Sequence, residues 1–116
     1  MPGARDRVRL QHMLEYAREA LESIQGKTRE DLDSDRLSAH GLVRLMAVIG
    51  EEANRISPEY RAAHATIPWS QIISLRNRLI HGYDAVDLDI LWEILNQDLP
   101  PLVAELESII LRESGT

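Results

Sequence analysis

Arg76, Asn77, Arg78, His81 and Tyr83 fall within eight residues, Arg-Asn-Arg-Leu-Ile-His-Gly-Tyr, and no other segment gathers as many groups able to bind phosphate or move a proton. Histidine is the side chain whose unperturbed pKa suits proton transfer near neutrality. Arginine supplies a permanent, forked charge for phosphate oxygens. Together they suit metal-independent cleavage of RNA. A histidine takes the proton of the ribose 2′-OH or protonates the leaving 5′-oxygen, and an arginine stabilises charge on the phosphorane. DNA lacks the 2′-OH and would resist this chemistry. The same residues also have a plain structural explanation, because a cation near a helix C-terminus followed by glycine is an ordinary helix ending.

The elements that must position these groups follow from hydrophobic periodicity. Ile72, Ile73, Leu75, Leu79 and Ile80 predict one helix from about Pro68 to His81, stopped by Gly82. On such a helix Asn77 and His81 share a face at i, i+4, and Arg78 neighbours His81 at i, i+3. Arg76 sits about 140° around and about 7.5 Å back from His81, so a second copy of the chain is expected to pack alongside and complete the cleft.

Upstream, Leu10, Leu14, Ala17, Leu21 and Ile24, with Met13 and Ala20, stripe one face of a helix over residues 4–25, which Gly26 ends. Residues 27–35 are polar and read as a loop, from which Ser34 or Asp35 caps the next helix. Leu42, Leu45, Ile49, Ala53 and Ile56 stripe a helix over 36–56. Gly41 and Gly50 inside it predict close helix approach, and one of Glu51 and Glu52 must lie near its apolar side. Ser57-Pro58 ends this helix, and a short helical turn follows over 58–65. Downstream, Asp84 and Asp87 offer a loop and an N-cap, and Leu88, Leu91, Trp92 and Leu95 mark a helix over 88–99. Pro100-Pro101 should break or kink the chain before a last helix over 101–112, leaving 113–116 as a flexible tail. With no alternating run of β-branched residues and no hairpin signal, the expected fold is all-α: a four- to five-helix up-and-down bundle, one domain over 1–116.

Bulk composition sets limits. The absence of cysteine excludes a disulfide framework and thiol chemistry and fits a reducing cytoplasm. The N-terminus has no apolar run like a signal peptide, and no window is long and apolar enough to span a membrane. The net charge of −6 argues against broad coating of nucleic acid, but its distribution is uneven. Residues 60–83 hold Arg61, Arg76 and Arg78 and no acid, whereas 84–116 hold Arg112 against eight acids. A small anion site at the motif is therefore compatible with an acidic protein.

Gly50-Glu51-Glu52-Ala53, Ile67-Pro68-Trp69, the 76–83 stretch, Val86-Asp87 and Leu91-Trp92, in that order and spacing, resemble the HepT-like family of the HEPN superfamily over nearly the whole chain. The family's central pattern, Arg, four residues, His, one residue, Tyr, maps onto Arg76, His81 and Tyr83. The resemblance implies an all-α homodimer whose two motifs face each other across the interface. It implies a toxin ribonuclease, transfer RNA being one family-level target, paired with a small antitoxin nucleotidyltransferase of the MNT type, as in type VII systems. It further implies Arg76 and His81 as the catalytic pair, and Tyr83 as the residue that the antitoxin modifies with AMP. Such an adduct would block the site by bulk and by like-charge repulsion of an RNA phosphate. The rival reading is a non-catalytic helical partner or nucleotide-binding subunit of a nucleotidyltransferase.

Around this pair, Asn77 is expected to support His81, and Arg78 either contacts RNA or is a solvated surface arginine. Glu51 or Glu52 is expected to bridge to Arg76 or Arg78 and hold it in place. Trp69 and Trp92 read as core, and His12, His40 and His64 need no function. No cofactor is implied, and no His, Asp and Glu set has metal-ligand spacing.

Overall fold

The computed structural model describes residues 3–81 and 85–114, and its longest helices pack along their apolar stripes. Helix α1 (Ala4–Ser23) buries Leu10, Met13, Leu14, Ala17 and Ala20 against α3 (Arg36–Arg55), which presents Leu42, Met46, Ile49 and Ala53 in return. Helix α8 (Leu99–Ser114) closes the other side of α1 with Leu102, Leu106 and Ile109. Gly26 takes a left-handed conformation (φ 75°) just beyond α1, which the absence of a Cβ permits. The fold is the expected all-α bundle, and among the described residues no helix is long and apolar enough to cross a membrane.

Several local expectations need correction. Residues 27–35 are not a plain loop: Arg29–Ser34 form a short helix, α2. The Thr28 amide donates to the Asp31 carboxylate at 2.7 Å, half of a capping box, and Leu32 enters the core. Asp35 then caps α3, accepting from the Ser38 amide at 3.1 Å. Ser57 caps α4 (Pro58–Ala63), accepting from the Tyr60 amide, while its own amide and hydroxyl donate to Asp6 at 2.8 Å each.

Of the two glycines in α3, only Gly50 marks a close approach. A Cβ there would lie 2.9 Å from the Ile72 carbonyl oxygen, whereas one at Gly41 would meet open space. Nor does a single helix run from Pro68 to His81. It is divided into α5 (Trp69–Ile73) and α6 (Leu75–Leu79) at Ser74, whose hydroxyl donates back to the Ser70 carbonyl at 2.7 Å. Such back-bonding bends helices. Beyond Leu79 the chain is extended: Ile80–His81 (β1) pairs antiparallel with Ala85–Val86 (β2), Ile80 opposite Val86 and His81 opposite Ala85.

The proline pair does not break the chain. Helix α7 (Leu88–Glu93), capped by Asp87, passes through a π-helical turn (Ile94–Asp98) directly into α8, which contains Pro100 and Pro101. The Leu99 amide donates to the Ile94 carbonyl, five residues back. This widened turn gives the proline rings room beside carbonyls they would otherwise strike. Helix α8 reaches Ser114, and the Tyr60 hydroxyl donates to Glu113 at 2.6 Å, so 113 and 114, expected in a flexible tail, are helical; the rest of that expected tail, 115 and 116, lies outside the described residues.

Candidate active site

The motif is positioned from its N-terminal side by a tryptophan. Trp69 opens α5, is nearly buried, and donates its indole N–H to the Arg61 and His64 carbonyls at 3.0 and 3.1 Å. Ile72 is buried next, and the backbone of α5 lies directly on Gly50 of α3. After the bend at Ser74, Leu75 and Leu79, one helical turn apart, anchor α6 in the core. Burial of each contributes roughly 1.5–3 kcal/mol. Arg76 and Asn77 lie between these anchors on the exposed side.

The C-terminal side is held by backbone. The Asp87 amide donates to the Leu79 carbonyl at 2.8 Å, and the two-residue ladder fixes the main chain of Ile80 and His81. His81 is therefore on a strand, not at i+4 of a helix from Asn77, and the shared helical face expected for the two does not form. The physical reason is that Ile80 takes extended angles (φ −106°, ψ 118°) and pairs with β2 instead of continuing the helix. The His81 side chain and all of Gly82, Tyr83 and Asp84 lie outside the described residues. The expected helix stop at Gly82 and the role given to Tyr83 fall there.

The arginines separate. Arg78 donates to Asp98 at 2.9 Å, a part-exposed pair that contributes about 1 kcal/mol or less. Its partner comes from the acidic C-terminal third, so the carboxylate-free window of the sequence is not carboxylate-free in space. Arg76 makes no side-chain hydrogen bond or ion pair among the described residues. It keeps its full charge and fork for a ligand. Beside α6 a cleft of about 240 Å3 opens between α5 and the π turn, lined by Ile67, Gln71, Leu75, Arg78, Asp98 and Leu102 among others.

The expected bridge from Glu51 or Glu52 to Arg76 or Arg78 does not form. Glu51 is exposed. Glu52 is 6% exposed and is the buried acid on the apolar side of α3. Its carboxylate accepts from Arg9 Nη1 at 3.3 Å and lies 3.2 Å from His12 Nδ1. Burial of a charge demands such partners. The sequence alone assigns His12 no role and does not reveal this cluster. One signal was legible, since Arg9 and His12 stand at i, i+3 on α1. Their meeting with Glu52, more than 40 residues away, was not. Trp92, read as core, is half-buried. Among the described residues no group of three or more His, Asp or Glu side chains could hold a metal ion.

This arrangement offers an exposed guanidinium at Arg76 and, five residues on, a histidine whose main chain is fixed by pairing. Comparison with known proteins supplies a context. A family model described as "Ribonuclease HepT-like" matches residues 13–109. The chain is similar to a protein of Thermococcus cleftensis named probable ribonuclease HepT, 33% identical over 83% of this chain and 91% of the relative. It is similar to a candidate RNase of Caldanaerobacter subterraneus, 31% identical over 90% of this chain and 93% of the relative. A candidate RNase of Methanocaldococcus jannaschii is 28% identical over 86% of this chain. No solved structure matches significantly.

Proposed function

The chain belongs to the HepT-like ribonuclease family, and from that premise we propose that it is the toxin of a toxin–antitoxin pair, cutting RNA without a metal through Arg76 and His81. The observation that carries this reading is Arg76, exposed and unpaired among the described residues, on a helix whose end leads directly into the strand of His81. In the proposed step His81 takes the proton of the ribose 2′-OH. The oxygen attacks the adjacent phosphorus, the 5′-oxygen leaves and is protonated, and a cyclic phosphate remains. Arg76 holds the non-bridging oxygens as charge grows on them. Two chains place their motifs face to face, so that one histidine can act as base while the other acts as acid. Asn77 supports the site from the exposed side of α6, and Arg78, tied to Asp98, borders it. Transfer RNA is the proposed target class.

The off-switch of this reading is Tyr83. A nucleotidyltransferase partner of the MNT type directs the phenol oxygen onto the α-phosphorus of ATP. The phenol gives up its proton to solvent, a tyrosyl–AMP bond forms, and pyrophosphate leaves. The adduct puts bulk and negative charge where an RNA phosphate must sit.

The deciding experiment incubates purified protein with total RNA in excess chelator. Wild type should cut, and His81→Ala and Arg76→Ala should each lose about 100-fold or more, the range for losing a general acid–base group and a charge-stabilising donor respectively. Intact RNA with wild type under these conditions sinks the nuclease mechanism and leaves the non-catalytic partner reading.

A further inference from the structure

We propose a second RNA contact, remote in sequence from the Arg76–Tyr83 stretch: a basic cleft between the start of α1 and the end of α3 that binds the phosphate backbone of the substrate. The proposal rests on the ribonuclease reading and extends it. The cleft has a volume of about 580 Å3 and is lined by Arg5, Val8, Arg9, His12 and Arg55. Four of these five side chains carry nitrogen donors, on a molecule whose net charge is −6.

The helix places them. Arg5, Arg9 and His12 stand at i, i+4 and i+7 with Val8 between, one face of α1. Arg5 and Arg9 are one turn apart, about 6 Å along the axis, which lets two guanidiniums take neighbouring phosphates of one strand. Arg55 reaches in from the last turn of α3. Val8, 53% exposed, is the apolar patch among these charges and offers packing for a ribose or base.

Two of the carboxylates near the cleft are held by other groups. Glu52 lies beneath, its oxygens on Arg9 and His12, so it fixes the orientation of both. Asp6, next to Arg5 in sequence, accepts instead from the amide and hydroxyl of Ser57. Arg5 and Arg55 make no ion pair among the described residues. While Asp6, Glu59 and Glu113 line the adjoining cleft that shares Arg5 and Arg55, the lining of the proposed cleft holds three guanidiniums and no carboxylate. A fixed cluster of this sign is a site for a polyanion. The rival occupant is an acidic helix of a second copy of the chain.

The test measures binding of a fluorescent single-stranded RNA by anisotropy, in the His81→Ala background so that the probe survives, across a salt series. Replacing Arg5 and Arg55 together by alanine should weaken binding about tenfold and flatten the slope of log K against log salt by about 1.4, two contacts at about 0.7 each. Replacing both by lysine should retain most of the slope. Unchanged affinity and slope in the alanine variant, while wild type still cuts RNA, overturn the cleft and leave the nuclease. Weakened self-association with RNA affinity intact overturns it in favour of the second copy. Wild-type protein that neither binds nor cuts RNA overturns both readings.

Discussion

Tyr60 shows how a single side chain ties remote parts of this molecule. Its hydroxyl donates to Glu113 near the end of α8, and its ring lies 4.5 Å from that of His64. Burial, with the hydrogen bond to the Glu113 carboxylate, pushes the phenol above its ordinary 10.0. The sign follows by linkage: a raised folded-state value contributes stability that is whole below the unfolded value and is lost as pH climbs toward the folded one. Thermal melts between about pH 9 and about pH 11 should therefore fall more steeply for wild type than for Tyr60→Phe. Parallel curves would show that the contact is not formed in solution. At the same scale Glu52 and Glu51 have opposite fates one residue apart. Helical periodicity turns Glu52 inward beside Ile49 and Ala53, where Arg9 and His12 meet it, and leaves Glu51 in water.

Among the elements, α5 and α6 matter most, because α6 carries Arg76 and leads into the strand of His81, and α5 before it lies on a single glycine. With a Cβ at residue 50 only 2.9 Å from the Ile72 carbonyl and 3.1 Å from that of Ile73, the neighbouring atoms are backbone and cannot rotate away. Gly50→Val should thus cost about 1–3 kcal/mol, the usual range for overpacking. It should also displace α6 enough to lower RNA cleavage beyond what the lost stability explains. Denaturant melts and activity at a temperature where the variant is fully folded check this, and wild-type values in both would show that α5 does not depend on the close crossing. The π turn before Pro100 follows a related logic, a helix adjusting its own backbone where side-chain geometry demands space.

At the scale of the whole molecule, the proposed site depends on assembly of two chains. The proposed mechanism needs one histidine as base and another as acid, and each chain brings one copy of the 76–83 motif. Light scattering at micromolar concentration should give twice the 13.2 kDa of the chain. Co-expression with a nucleotidyltransferase of the MNT type should add AMP mass at Tyr83 and abolish cleavage by the dimer. A monomer that still cuts RNA would remove the shared site, and an adduct at any other residue would remove Tyr83 from regulation.

Much of this protein was readable along the chain. The stripes of α1 and α3 rest on helical periodicity, and the caps at Asp35 and Asp87 and the stop at Gly26 rest on conformational preferences and hydrogen bonds within one turn. Such interactions are fully specified by local residue types. The bend at Ser74, the departure of Ile80 into a strand pair and the passage of two prolines through a widened turn were not readable. Each is a choice between backbone states of similar local energy, made by what packs against them. Which charge meets which was also decided in three dimensions. Arg78 finds Asp98, and Arg9 and His12 find Glu52, only because the helices cross where they do. Side-chain periodicity tells which way a group points, but its partner belongs to another element, placed by core packing and by the close approach at Gly50.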